Sequence, residues 1–385
     1  MTVNPLQRSC EKCMLSMSSK LDCVLNFSEN VSSCEMEKHA SLPDAVYVVL
    51  AIYLFFITIF GILVNGAIIY LYFSRKEIAT ISNMYVVALC VCGFLIAIFG
   101  VPFAAASSIR HEWLFGEGLC KVHGFLFTGL GIVMIAILTG IAIDKYIFIV
   151  RYQFHHKVTK NVALMIIAGC YVYGVIWGLL PLFGWNHYVL EPVKLTCSVE
   201  WTGDVVNHSY AITIMFTGLL IPVSIIAYLY SSILRRVHSQ RMVSQRIVSN
   251  SRKQNLIRRE KRIATTLFMM VGSFILAWLP YSIYGLICIL GYSNVIPLIW
   301  HTIPSVFAKA SILWNPVIYA SRSRAIKKAL GETFPFLRWM IPRTHRQVKH
   351  QEQTTNTFLN MNTSNGSDVV LVQLLSENKV TSTSL

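Results

Sequence analysis

The sequence predicts an all-α membrane protein: a seven-transmembrane helix bundle followed by a short amphipathic eighth helix. Three observations carry that prediction. The chain is 55% hydrophobic and only 13% charged over 385 residues, too apolar for an ordinary water-facing surface. Seven stretches reach the roughly 20 apolar residues that a helix needs to cross the hydrocarbon core. Lys and Arg collect in alternate connections between those stretches, so the net charge of +15 points to a cytoplasmic membrane face and not to nucleic acid.

Residues 1–45 form a polar extracellular segment without the continuous apolar core of a secretory signal, so the first span is expected to insert the protein. The transmembrane domain occupies residues 46–320, with spans at Val46 to Phe73, Ser82 to Ile109, Val122 to Ile143, Asn161 to Phe183, Val205 to Leu234, Ile263 to Leu290 and Pro297 to Ala320. Arg75, Lys76, Lys145, Arg151, Lys157, Lys160 and a cluster from Arg235 to Arg262 fall in alternate loops, which makes those loops cytoplasmic and the N-terminus extracellular. A multi-pass protein of the plasma membrane follows. Asn26, Asn30 and Asn207 stand in glycosylation sequons that this topology places outside. Residues 321–340 pair apolar positions at helical spacing with basic ones, most clearly from Arg322 to Phe334, and predict a helix lying on the inner membrane surface. Residues 341–385 are rich in Ser, Thr, Asn and Gln and predict a disordered cytoplasmic tail. No internal repeat is visible, which argues against a transporter built from inverted halves.

Of the ten cysteines, Cys120 before span three and Cys197 in the second outer loop both face an oxidising compartment and could form one disulfide. Cys10, Cys13, Cys23 and Cys34 could form two more, with three connectivities open. No His follows Cys10 and Cys13 at finger spacing, so zinc is the weaker reading and no metal site is expected. Cys90, Cys92, Cys170 and Cys288 lie in spans and suit packing, and the tail has no cysteine for a lipid anchor.

One formally charged side chain stands in the middle of a span. Lys309 lies about twelve residues into the last one, where a lysine costs roughly 2.5 to 3.5 kcal/mol to insert. Snorkelling works only near helix ends, so a chemical use fits better. Burial disfavours the charged form of an amine, and a neutral amine attacks an aldehyde to form a Schiff base. The buried lysine therefore calls for an aldehyde ligand.

The stretch F-A-K-A-S-I-L-W-N-P-V-I-Y, Phe307 to Tyr319, strongly resembles the seventh span of opsins, rhodopsin-like receptors whose lysine binds retinal. The likeness extends to G-I-L-V-N with Asn65, to A-W-L-P-Y with Trp278, Pro280 and Tyr281, and to Pro222 with Tyr230. It implies a light-sensing G-protein-coupled receptor, not an enzyme, with retinal (11-cis or all-trans) on Lys309 and with Trp278 and Tyr281 lining its pocket. Asn315, Pro316, Tyr319 and Tyr230 would belong to the activation machinery. Within opsins, Phe183 to Cys197 and G-V-P-F-A-A-A-S-S in span two look most like the neuropsin and peropsin group.

Three positions depart from the wider family. Asp144, Lys145 and Tyr146 stand where Asp-Arg-Tyr is usual, and Gly93 stands where span two usually carries Asp. His123 occupies the place at which vertebrate visual pigments carry the carboxylate that neutralises the Schiff base. Among the outer acids Glu112, Glu117, Glu191, Glu200 and Asp204, only Glu191, six residues before Cys197, matches an opsin counterion position. On the inner side Glu260 is the expected resting partner of Lys145, with a looser lock than arginine would give.

A retinal photoisomerase with little or no signalling is the alternative function. The long basic third inner loop and Thr354, Thr355, Thr357, Ser364 and Ser367 of the tail favour the receptor, with a heterotrimeric G protein, a receptor kinase and arrestin as partners. A receptor for a diffusible ligand leaves Lys309 unexplained, and a channel usually shows several intramembrane ionisable residues. The terminal Thr383, Ser384 and Leu385 fit a PDZ domain, a short pattern that often arises by chance.

Overall fold

The computed structural model describes residues 42–246 and 251–340, and within them no side chain at 155, 240–246, 251–260 or 340. Asn26, Asn30, the four N-terminal cysteines, the tail sites and the Thr383 to Leu385 end lie outside the described residues, as does the side chain of Glu260. The chain divides after Leu42, and the helical unit is Pro43–Leu385.

Among the described residues six helices are each long and apolar enough to cross a membrane: Asp44–Ser74, Ile81–Arg110, Gly116–Ile149, Lys160–Phe183, Val205–Ser239 and Lys261–Ile289. Their ends follow local chemistry. The Thr80 and Thr159 hydroxyls and the Asp204 carboxylate accept the free N–H groups at the starts of spans two, four and five. Span two breaks at Gly100 and restarts at Val101–Arg110, with Pro102 in the first turn where its missing N–H costs nothing. Span five carries a π turn at Phe216–Leu220, and the Tyr173 hydroxyl donates to the Thr217 carbonyl at 3.0 Å.

The seventh span is two helices, Ile303–Lys309 and Ser311–Arg322, interrupted at Ala310. The Ala310 N–H reaches the Phe307 carbonyl at 3.0 Å, three residues back instead of the helical four. Further along, Pro316 has no N–H and so leaves the Ile312 carbonyl without its helical donor. Asn65 of span one supplies one, Nδ2 to oxygen at 3.1 Å. In a medium without water such a freed carbonyl must find a protein partner.

Large apolar side chains face outward from the bundle, Phe56 at 50% and Leu63 at 59% exposure among them, as a surface solvated by lipid requires. The amphipathic helix is Arg324–Thr333, capped by Ser323, with Ile326, Ala329 and Leu330 buried. Arg75 of the first inner loop ties it down through Thr333 Oγ1 at 3.2 Å and Glu332 at 3.7 Å.

One feature departs from the sequence expectations. The second outer loop folds into a hairpin, with β1 (Tyr188–Leu190) antiparallel to β2 (Cys197–Val199) and Leu190 opposite Cys197. Asn207 is 7% exposed in the first turn of its helix, with its backbone carbonyl accepting from the Asn186 amide at 3.1 Å.

Candidate functional site

The break at Ala310 follows directly on Lys309, which is 5% exposed. Its ammonium donates to the Ser305 carbonyl, one turn earlier, at 3.3 Å and lies over the Phe127 ring at 4.4 Å from the centroid. A buried lysine with one carbonyl and one ring face is under-coordinated, since an ammonium carries three donors.

The anion nearest in the hydrogen-bond network is Glu191, 5% exposed in the loop between β1 and β2. The disulfide Cys120–Cys197 fixes that loop to the head of span three. Glu191 Oε2 accepts from Thr196 Oγ1 at 2.5 Å and from Ser305 Oγ at 2.9 Å. Burial pushes the Glu191 carboxyl above the usual carboxylate range, while the Lys309 charge and the hydroxyls pull it back. The other outer acids are spent elsewhere or exposed. Glu117 pairs with Lys121 at 2.6 Å, Glu200 accepts from Thr202, Asp204 caps span five and Glu112 faces solvent.

His123 is 1% exposed, and its Nδ1 lies 3.2 Å from the Cys197 carbonyl. Its Nε2 has no hydrogen-bond partner among the described residues. The imidazole is wedged between the Trp113 and Phe127 rings. Position and partners make it a support for the disulfide strand.

From Lys309 an apolar corridor runs into the bundle as two adjoining cavities of about 50 and 90 Å³ that share Thr128, Trp278 and Tyr281. The larger lies among Gly131, Ile132, Ile214, Met215 and Phe274. Trp278 donates Nε1–H to Ser311 Oγ at 3.2 Å, and a Cβ at Gly131 would stand 2.8 Å from its ring, so only glycine lets the indole lie there. Trp201, just beyond β2, closes the far end and donates to the Tyr281 hydroxyl at 3.2 Å.

On the inner face the described residues place Lys145 against its own span and span two. Lys145 turns back onto Asp144 Oδ2 at 2.8 Å and Ser82 Oγ at 2.5 Å, and Ser82 also donates to Asp144 at 3.1 Å. Tyr146 accepts from Arg151 at 3.4 Å, and Tyr230 stacks on Phe268 at 5.3 Å between centroids. Tyr319 donates to Asn83 Oδ1 at 2.5 Å. Asn315 is 1% exposed, and neither amide atom has a partner among the described residues. The glycine in span two is explained by close packing, since a Cβ at Gly93 would meet Asn65 Oδ1 at 2.8 Å.

Sequence reasoning missed Ser305, Thr196, Ser82, Phe127 and Asn83. Only Ser305 carried a usable signal, since four residues before Lys309 puts both on one helix face.

Six long apolar helices and a broken seventh, with a lysine buried among them and a carboxylate buried in a disulfide-pinned outer hairpin, define a multi-pass membrane protein with an apolar cavity beside that lysine. Residues 64–319 match the 7 transmembrane receptor (rhodopsin family) description. The chain is 30% identical to "Rhodopsin, G0-coupled" of Mizuhopecten yessoensis over 78% of its own length and 74% of that protein. It is 27% identical to melanopsin-A of Gadus morhua over 82% of its own length, and it spans little more than half, 57%, of that relative. The crystal structure of squid rhodopsin superposes with a TM-score of 0.72 at 28% identity, over 81% of this chain and 92% of that one. The chain belongs to the rhodopsin family of seven-transmembrane receptors, and these relatives are opsins.

Proposed function

We propose that the protein is a light-sensing G-protein-coupled receptor that carries retinal as a Schiff base on Lys309, with Glu191 as counterion. The observation that carries the reading is the buried amine at the mouth of an apolar corridor, with a buried carboxylate linked to it through Ser305. The residues fit the chromophore: its apolar body matches the lining from Gly131 to Trp278, and the linkage relieves an ammonium that has too few partners. When bound, retinal supplies an aldehyde for that linkage and a polyene that light isomerises.

The chain's own residues do the rest. Thr196 and Ser305 orient the carboxylate, the hairpin excludes water, and Trp278 with Gly131 forms a wall that a change in ligand shape would push. The outer hairpin and its disulfide favour an extracellular N-terminus at the plasma membrane, with Asn26 and Asn30 as glycan sites. Asp144, Lys145 and Tyr146 with Tyr230, Asn315, Pro316 and Tyr319 would pass the change to a heterotrimeric G protein, and the tail would serve receptor kinase and arrestin. The narrower likeness to neuropsins and peropsins rests on the outer-loop stretch. A photoisomerase with weak signalling draws support from Lys145, held by Asp144 and Ser82 without the bidentate fork of arginine.

The test is to express the protein, add 11-cis and all-trans retinal in turn, and record dark and illuminated spectra, followed by nucleotide exchange. A light-sensitive band with either isomer supports the opsin reading, and exchange separates receptor from isomerase. Absence of any band with both isomers overturns it.

A further inference from the structure

We propose that Ser305 and Thr196 are positioning residues that hold Glu191 as the counterion of Lys309, a hydroxyl cradle joining the seventh span to the outer hairpin. This rests on the reading of Lys309 as the retinal site and specifies how its charge is balanced.

Both hydroxyls converge on one carboxylate oxygen, Thr196 at 2.5 Å and Ser305 at 2.9 Å, and they lie 3.5 Å from each other. Ser305 is 6% and Thr196 0% exposed, so water does not compete for these donors. Ser305 works twice: its carbonyl accepts from Lys309 Nζ at 3.3 Å while its hydroxyl reaches Glu191. One residue therefore fixes the separation of amine and carboxylate. Its single hydroxyl proton is shared between Glu191 at 2.9 Å and the Thr302 carbonyl at 3.1 Å, the carboxylate being the nearer acceptor.

No guanidinium or ammonium lies within ion-pair distance of the carboxylate among the described residues, Lys309 reaching it only through Ser305. Neutral donors stabilise the ionised carboxylate without spending its charge, which stays available to the cation on Lys309. The other titratable groups around the pair are His123 of span three, beside Lys309, and Tyr281 and Tyr284 of span six, which face Glu191. Neither kind of group supplies a fixed anion at neutral pH, so the cradle governs how well Glu191 serves.

The experiment is a pH titration of the pigment's visible band in wild type, Ser305→Ala, Ser305→Thr and Thr196→Val, each also in a Glu191→Gln background. Ser305→Ala and Thr196→Val should each lower the midpoint by about one pH unit, a tenfold easier proton loss. Ser305→Thr, which keeps the hydroxyl, should restore it. Neither change should move the midpoint further once Glu191 is Gln. A wild-type midpoint in Ser305→Ala, or an equal shift in both backgrounds, overturns the cradle, and Thr196→Val decides the matter in the same way if Ser305→Ala does not fold. If wild type takes up no retinal, the opsin reading fails on its own. The cradle is then read in ligand-free protein from the infrared carboxyl band that Glu191→Gln removes. Loss of a hydroxyl should raise the pH at which that band disappears, and an unmoved band overturns the proposal.

Discussion

At the outer end of the bundle, Glu191 has two hydroxyl partners and a disulfide-pinned hairpin loop to carry it. In the middle, Asn315 keeps both amide atoms without a partner among the described residues, and further in Lys145 is satisfied by Asp144 and Ser82, its immediate surroundings. Under the proposed function the difference is one of purpose: a counterion has to hold a fixed position and is over-determined by its neighbours, whereas a region that would rearrange on activation is left with polar groups that can exchange partners.

The largest effect should come from breaking the outer frame. Cys120→Ser opens a disulfide that closes a separation of 77 residues, a constraint worth on the order of 4 kcal/mol in the chain-entropy picture. Glu191 would lose its fixed place over Lys309, and pigment yield should fall at least tenfold. Normal yield with a normal spectrum would mean that the hairpin is held without the bridge.

Next comes Gly131→Leu, whose Cβ alone would stand 2.8 Å from the Trp278 ring. It should displace the indole from Ser311 and cut retinal uptake severalfold, with surface expression nearly unchanged. In the middle of the bundle, Gly93→Asp should do the opposite. Its Cβ would meet Asn65 and push that amide off the Ile312 carbonyl, leaving a buried acceptor open at a cost of roughly 1–3 kcal/mol. Thermal stability should drop while the absorption maximum stays put. A spectral shift as large as the one expected of Glu191→Gln would erase the separation between the two regions.

The spans and the buried lysine were legible in the sequence because each follows from a rule that acts locally, whereas Glu191 was singled out by resemblance to the opsin outer loop. Apolar length identified the helices, and a lone charge in a span singled out Lys309. The hairpin was not legible, since two three-residue strands carry almost no periodicity and are held by a bridge to span three. Thr196 and Ser82 are small hydroxyl residues whose partners lie on other elements, and nothing in their own neighbourhood announces them. The expected Glu260 partner of Lys145 came from charge alone and lies outside the described side chains, and the described residues give that ammonium Asp144 and Ser82, whose hydroxyl partner charge reasoning does not reach.

Smaller effects sharpen the inner face. Lys145→Arg restores a planar fork and should lower dark activity or raise light-driven nucleotide exchange about two- to threefold, a change worth well under 1 kcal/mol. Equal activity in both states would remove the account of that lysine. The smallest effect concerns pH. Burial gives Glu191 a folded-state pKa above its unfolded value in ligand-free protein. The stability that its proton contributes is complete below the usual carboxylate range and is lost as pH rises through the raised value. The thermal midpoint should therefore decline across that window, and Glu191→Gln should flatten the curve. Superimposable curves would contradict the burial argument.

The most direct measurement of the central claim is borohydride reduction of the pigment followed by peptide mass mapping, since hydride fixes a retinal–amine linkage as a stable secondary amine. The account predicts a single retinyl group on the peptide that contains Lys309, absent in Lys309→Ala. A retinyl group on Lys121 or Lys194 instead, or a visible pigment that persists in Lys309→Ala, would contradict it.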